Sequence, residues 1–341
     1  MRIGLLPPSE KHIAVIGPKG IPKDFSGSGG IEAYVEHQLL TFTRGGRRID
    51  CYVRAWTSSQ PMNHYRGITR IVIPTIHTIS LDTLSYSFLA SIHASLGSAT
   101  IIWYHGIGPS FFSFIPKLFG KRVYTTIHAL DWKRKKWGTF AKLFLRLCEH
   151  VALQFSDKLF VVSTQLQTYY QHQYHKDAIV EKYTIPHRVT VQASIIQQKY
   201  RLRKNTYVLY LGRFVPEKRL EWLIDASYKF PNLYFVLAGE RDQSNTYAQH
   251  LMDMIHTQNI ILTGYVLGKE KEELLSNCKL FILPSALEGY PISIMEAVSY
   301  GKHCLVGDFL RPEYTHVHSL IHYFKTDQFS DFIQNLRKLT Q

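Results

Sequence analysis

LFILPSALEGYPISIMEA, residues 280–297, joins a strand, a turn and the start of a helix in one short stretch. Leu280 to Leu283 is an apolar run of the length that becomes a strand buried on both faces. Pro291 suits the first turn of a helix and Gly301 suits its end. Glu288 is therefore expected in the loop before the helix and Glu296 inside it. Strand, loop and helix in this order is the repeating unit of an open parallel sheet, which binds ligands at the carboxyl ends of its strands.

The same alternation runs outward through the chain. In the first half, strands are expected at 12–16, 50–53, 69–73, 100–103, 123–127 and 158–162. In the second, they are expected at 207–211, 234–237, 260–262, 280–283 and 303–306. At 341 residues the chain suits two α/β domains of ordinary size. The polar, basic stretch 183–205, with Pro186 near its start, reads as their connection. The expected domains are 1–190 and 191–341.

Hydrophobic residues make up 45% and charged residues 19%, which excludes a disordered chain. Nowhere do eighteen apolar residues run together, so no membrane-spanning helix is expected, and the first residues do not form a secretory signal. Cys51, Cys148, Cys278 and Cys304 are scattered without a C-x-x-C pair and read as reduced core thiols in a cytoplasmic protein. The net charge of +14 falls mostly in residues 1–190, where 23 Lys+Arg face 11 Asp+Glu. A basic field attracts phosphates on a nucleotide, a lipid or a nucleic acid. No nucleic-acid-binding motif accompanies it.

Three further stretches carry candidate chemistry. Behind the strand 12–16, the loop Ser26-Gly27-Ser28-Gly29-Gly30 precedes an expected helix at 31–41, so its amides can approach a phosphate or a sugar. Behind the strand 207–211, Arg213 and Lys218 bring a planar fork and a point charge to the sheet edge, which suits a diphosphate leaving group. A competing reading pairs those cations with Glu217 or Glu221 at a solvated helix start. In the quoted stretch, Glu288 can grip sugar hydroxyls, Glu296 can accept from ribose hydroxyls, and the amides of Ile292 and Ser293 can meet phosphate.

GRFVPEKR at 212–219 and EGYPISIMEA at 288–297 together resemble the signature of the retaining glycosyltransferases of family 4, which have the GT-B fold. GPKGIPKDFSGSGGIEAYVEHQL at 17–39 and the stretch from Thr126 to Ser163 are similar to bacterial rhamnosyltransferase-type enzymes that build capsule and O-antigen chains. The likeness spans most of residues 12–310. It implies α/β architecture of GT-B type, two Rossmann-like domains with parallel sheets facing a cleft, the first serving the acceptor and the second the nucleotide sugar. It implies transfer of a hexose from a nucleotide diphosphate sugar to a glycan or lipid-linked acceptor, with retention of configuration.

Carried over residue by residue, the resemblance gives Arg213 and Lys218 to the donor diphosphate and Glu296 to the ribose. Glu288 and the backbone of Gly289, Tyr290, Pro291, Ile292 and Ser293 serve the transferred sugar. Gly29 and Gly30 face phosphate and acceptor, His128 meets the sugar, and Gly264, Tyr265 and Val266 meet the base. The resemblance implies no cofactor and no metal, consistent with the absence of Asp-x-Asp. Two departures stand out. Pro186-His187-Arg188 replaces the family's Pro-Asn-Gly, and Gln341 follows 331–339 without the family's final crossover helix, so looser closure or a completing partner is expected.

A sugar-nucleotide epimerase of the same fold, a non-catalytic nucleotide-sugar-binding scaffold and a nucleic-acid binder are the rival functions. Retention of Arg213, Lys218, Glu288 and Glu296 opposes degeneration to a scaffold. His316, His318 and His322 alternate as on an exposed strand, and no acidic or Cys neighbour makes them a metal site. Residues 132–144, WKRKKWGTFAKLF, mix cations with large aromatics, and Phe111, Phe112, Phe114 and Ile115 precede Lys117, Lys121 and Arg122. Peripheral contact with an anionic membrane is expected there.

Overall fold

The computed structural model describes residues 11–23, 25, 28–57, 62–76, 78, 81–134, 137–181, 183, 185, 187–240 and 246–341, without the side chains of 315, 316 and 318. Ser26 and Gly27 of the glycine loop, Lys135, Lys136, Pro186 and the side chains of His316 and His318 thus lie outside the described residues.

The contacts divide the chain into two compact units, Met1–Tyr183 and Thr184–Gln341. The expected boundary lay at 190. Residues 188–194 are bonded into the second unit: Arg188 N donates to Ser299 O at 2.6 Å, Asn277 Nδ2 to Val191 O at 3.0 Å and Ser194 N to Glu273 Oε2 at 2.9 Å.

The first unit runs β1 (His12–Ile16), α1 (Gly30–Arg44), β2 (Arg48–Arg54), β3 (His64–Tyr65), β4 (Ile68–Ile73), α2 (Leu81–Leu96), β5 (Ile101–His105), α3 (Phe114–Leu118), β6 (Arg122–Ile127), α4 (Thr139–Phe155), β7 (Lys158–Val161), α5 (Thr164–Tyr174) and β8 (Ile179–Val180). Its sheet has the order β3-β4-β2-β1-β5-β6-β7-β8, parallel except for the β3–β4 pair. The chain moves from β1 to one side, then returns through β5 to the other. The β1/β5 junction is therefore the switch point at which such sheets open a crevice.

The second unit runs α6 (Ile195–Tyr200), β9 (Tyr207–Leu211), α7 (Glu221–Lys229), β10 (Tyr234–Ala238), α8 (Thr246–Met254), β11 (Ile260–Gly264), α9 (Gly268–Asn277), β12 (Leu280–Leu283), α10 (Ile292–Ser299), β13 (Cys304–Gly307), β14 (Ile321–Phe324) and α11 (Phe329–Thr340). Its sheet, β11-β10-β9-β12-β13-β14, is parallel throughout, with the switch point between β9 and β12. All five strands expected in this half are present. β14 was not foreseen, and the alternating histidines are not its cause. Residues 315–320 form 3-10 turns, so His316 and His318 are off the strand that His322 occupies.

Both sheets are apolar on both faces, as parallel sheets covered by crossover helices must be. Ile13, Val15, Ile16, Ile102 and Val123 are fully buried in the first unit, and Leu209, Phe235, Val236 and Ile282 in the second. All four cysteines are buried free thiols. α11 closes the second unit by burying Phe332 and Leu336, with Trp222 packed among Phe324, Phe329 and Phe332.

Candidate functional site

The strands of the second sheet end in glycines that let neighbouring turns touch. Gly212 follows β9, Gly239 follows β10 and Gly264 ends β11; Gly212 N donates to Ala238 O and Gly239 N to Gly264 O, each at 2.9 Å. A Cβ on Gly239 would lie 1.8 Å from Gly212 O, so only glycine fits there. Gly264 has φ +73° and open space around it. Tyr265 and Val266 continue from it, half-buried and buried.

Two loops meet at the switch point between β9 and β12. Ala286 N donates to Glu217 O at 2.8 Å, tying the turn after β12 to the turn after β9. Lys218, in a 3-10 turn over 216–218, pairs through Nζ with Glu288 Oε1. Ser285 Oγ donates to the same oxygen at 2.7 Å. This overrides the competing pairing of Lys218 with Glu217 or Glu221. Glu221 is instead bonded to the Tyr247 hydroxyl. Arg213 is exposed at the same edge, its backbone held by Tyr210 Oη donating to Arg213 O at 2.8 Å.

Pro291 caps α10, and Gly289, Tyr290 and Pro291 lead into it. Tyr290 stacks on Tyr314, whose hydroxyl donates to Pro291 O at 3.2 Å, so this turn is fixed from below. Ile292 and Ser293 open the helix with amides that have no carbonyl one turn earlier in it. Glu296, one turn on, is buried and receives Lys271 Nζ at 2.7 Å on Oε1. Both glutamates thus have one oxygen held by a lysine, while Oε2 of each has no hydrogen-bond partner among the described residues. Burial pushes the nearby Tyr210 hydroxyl up, with the Glu288 charge adding to it and Arg213 opposing.

Gly29 is the N-cap of α1, and Gly30 is its first residue, one residue earlier than expected. Glu32 closes the loop by accepting from Gly29 N at 2.8 Å and Lys19 N at 3.1 Å. At the β1/β5 switch point, Gly17 (φ +134°) runs so near His105 that a Cβ would lie 2.2 Å from its carbonyl oxygen. His128 follows β6, half-buried, with Nε2 3.2 Å from His105 Nδ1 and its ring edge-on to Tyr34. Burial pulls the His128 imidazole down to about 3 and holds His105 well below its usual value, so both are neutral at physiological pH.

Sequence reasoning missed Gly239, Ser285, Lys271 and His105. Gly239 had a signal, a glycine after each of three consecutive strands. Lys271 and His105 had none, since their partners lie 25 and 23 residues away. The aromatics of the expected membrane segment divide between packed and exposed positions. Trp132 is half-buried, donating to Glu149 at 3.1 Å under Arg146, and Phe111 packs on both Phe112 and Phe144. Phe140, Leu143 and Leu147 of α4 point outward instead, Phe140 at 91% exposure. Among the described residues no helix is long and apolar enough to cross a membrane, and no group of three or more His, Cys, Asp or Glu could hold a metal.

Two family models match the chain: Domain of unknown function (DUF1972) over residues 10–185, and Glycosyl transferases group 1 over residues 192–319. An uncharacterized glycosyltransferase of Bacillus subtilis (strain 168) is 26% identical over 196 residues, covering 55% of this chain and 52% of that protein. An N,N'-diacetylbacillosaminyl-diphospho-undecaprenol alpha-1,3-N-acetylgalactosaminyltransferase of Campylobacter jejuni is 32% identical over 108 residues, covering 31% and 27%. The chain thus spans about half the length of the first relative and under a third of the second. Among solved structures, sucrose-phosphate synthase from Thermosynechococcus elongatus superposes with a TM-score of 0.79 at 15% identity, over 96% of this chain and 89% of that one. An Anabaena protein in complex with UDP and glucose gives 0.76 at 15% identity, over the same shares. The fold is GT-B.

Proposed function

Because the chain belongs to the family described as Domain of unknown function (DUF1972) and continues into a segment matching Glycosyl transferases group 1, we propose that it is a retaining hexosyltransferase. Its donor is a nucleotide diphosphate sugar and its acceptor a glycan or lipid-linked sugar. What supports this most is the paired arrangement at the second sheet's switch point. Lys218 with Ser285 orients Glu288, Lys271 orients Glu296, and each carboxylate keeps Oε2 for a hydroxyl.

Arg213 and Lys218, with the amides of Ile292 and Ser293, stabilise the diphosphate as its charge grows, taking the part a divalent cation would otherwise play. Glu296 accepts from the ribose, Gly264, Tyr265 and Val266 meet the base, and Glu288 with the Gly289–Ser293 backbone holds the sugar. In the first unit, Gly29 and Gly30 serve phosphate and acceptor, and His128 serves the sugar. The acceptor hydroxyl attacks on the face the diphosphate leaves, and a departing phosphate oxygen takes its proton.

The Campylobacter relative's name specifies a diphospho-undecaprenol acceptor, and a second relative, from Escherichia coli, is a UDP-Gal:alpha-D-GlcNAc-diphosphoundecaprenol alpha-1,3-galactosyltransferase, 28% identical over 115 residues. A lipid-linked acceptor of a cell-surface polysaccharide such as capsule or O-antigen fits that pattern. Transfer then takes place at the cytoplasmic face of the membrane, with the outward face of α4 as the peripheral contact.

Incubation with UDP-, GDP-, ADP- and dTDP-sugars, with and without a diphospholipid-linked acceptor, tests transfer. Acceptor-dependent release of nucleoside diphosphate is expected. Altered sugar without acceptor would identify an epimerase, and binding without turnover a scaffold.

A further inference from the structure

We infer that His105 is a positioning residue: it donates Nδ1–H to His128 Nε2 and thereby fixes His128 as the Nδ1–H tautomer, a hydrogen-bond donor and not a base. The sites involved are the ring nitrogens of two residues at the carboxyl ends of β5 and β6. His105 Nδ1 and His128 Nε2 are 3.2 Å apart, so one carries the proton and the other accepts it.

The far side of His105 decides which. Its Nε2 is fully buried and has no partner among the described residues. The residue itself is 1% exposed, stacked on Trp103 and tilted against Tyr34. Were His128 the donor, His105 would carry its proton on Nε2, as a buried N–H with no acceptor. Orphaned buried N–H groups are rarer than orphaned acceptors, and an unmet buried donor costs on the order of 1–3 kcal/mol. The proton therefore sits on His105 Nδ1, and Nε2 is a bare lone pair against aromatic rings. A second proton on either ring is opposed by burial, which lowers both pKa values.

The consequence passes to His128. With Nε2 occupied as an acceptor, a neutral ring must carry its hydrogen on Nδ1, which makes no hydrogen bond among the described residues. His128 is thus held ready to donate to an oxygen. This rests on the proposed role of His128 toward the donor sugar, where a hydroxyl or ring oxygen is the matching acceptor. The ring has no lone pair left with which to take a proton from an acceptor hydroxyl.

Nitrogen-15 NMR of the histidine rings reads the tautomer directly, with the His128 signals assigned from their loss in His128→Gln. The full chain is expected to show a protonated Nδ1 and an unprotonated Nε2 for His128. His105→Asn, whose amide nitrogen can stand where Nδ1 stands, should keep that signature and keep kcat/KM within about threefold of wild type. His105→Phe should lose the signature and lower kcat/KM about tenfold, the cost of one hydrogen bond misdirected, with nucleoside diphosphate affinity unchanged. A wild-type His128 protonated on Nε2 overturns the inference, whatever the variants do. So does a His105→Phe spectrum that keeps Nδ1–H. If no nucleotide sugar is turned over, the transferase reading fails while the ring spectra still decide this one.

Discussion

Lys271 Nζ stands 2.7 Å from Glu296 Oε1, joining the first turn of α9 to the middle of α10 and leaving Glu296 Oε2 without a hydrogen-bond partner among the described residues. Glu296 is buried, with its side chain 7% exposed, so its charge requires this partner. Lys271→Met is therefore expected to raise the donor dissociation constant about tenfold or more while kcat stays near wild type. Calorimetry with the best-binding nucleoside diphosphate measures this, and unchanged affinity would remove Lys271 from the donor site.

Glu296→Ala should likewise act on donor binding, because Glu296 is proposed to hold the ribose, which the reaction leaves unchanged. Glu288→Ala should mainly lower kcat, because Glu288 is proposed to hold the reacting sugar. Arg213→Ala and Lys218→Ala should each lower turnover by roughly ten- to a thousandfold, the usual range when a charge facing a developing anion is lost. Steady-state kinetics of the four variants separates these outcomes. Near-wild-type rates for Arg213→Ala and Lys218→Ala would withdraw the diphosphate assignment.

Activity should persist in EDTA, since Arg213, Lys218 and the α10 amides are proposed to carry the charge. Loss of activity that magnesium or manganese restores would assign that part to a cation instead.

Phe140, Leu143 and Leu147 lie on one outward face of α4, with the exposed Arg146 beside them. Each apolar side chain gains about 1.5–3 kcal/mol on full burial, and each cation about 1 kcal/mol near an anionic surface. Sedimentation with anionic vesicles should show binding at low salt that weakens at high salt. It should be lost in Phe140→Ser/Leu143→Ser/Leu147→Ser and weakened when Lys133, Arg134, Lys135 and Lys136 become Ser. Equal binding by these variants would move the contact elsewhere.

Glu181 gives a pH dependence. Burial pushes its carboxyl up to about 7, against the lowering effect of Tyr34 and Gln38, whose Nε2 donates to it at 2.9 Å. A raised carboxyl pKa means the folded state holds a proton that the unfolded chain releases near pH 4.5. That contribution to stability is complete below pH 4.5 and lost as pH rises through 7. Glu181→Gln keeps the neutral form at all pH values. It should raise the thermal midpoint at pH 8, by about 1–3 kcal/mol of stability, and have little effect at pH 5. Denaturation at the two pH values checks the sign.

Much of the architecture was legible because parallel strands buried on both faces advertise themselves as short apolar runs. Tyr207–Leu211 and Leu280–Leu283 were found to the residue. β3 and β8 were missed because two residues make no pattern, and β14 because His322 and Tyr323 interrupt its apolar ends. The stretch 183–205 reads as a connection from its polar, basic composition and Pro186, and residues 188–194 fall inside it. Their backbone groups are instead used by α9 and α10, which composition cannot reveal.

By itself the sequence determined the order of the longer strands, the glycine after β9, and the placing of Glu288 before α10 and Glu296 inside it. Each of these is a local matter of periodicity, turn chemistry and φ preference. Only the tertiary structure decided the partners: Lys218 and Ser285 for Glu288, Lys271 for Glu296, His105 for His128. An ion pair or a shared proton depends on distances of about 3 Å between side chains on different elements. Those distances are set by strand order, which lays β5 beside β6 and β9 beside β12 and so brings together loops that are far apart along the chain.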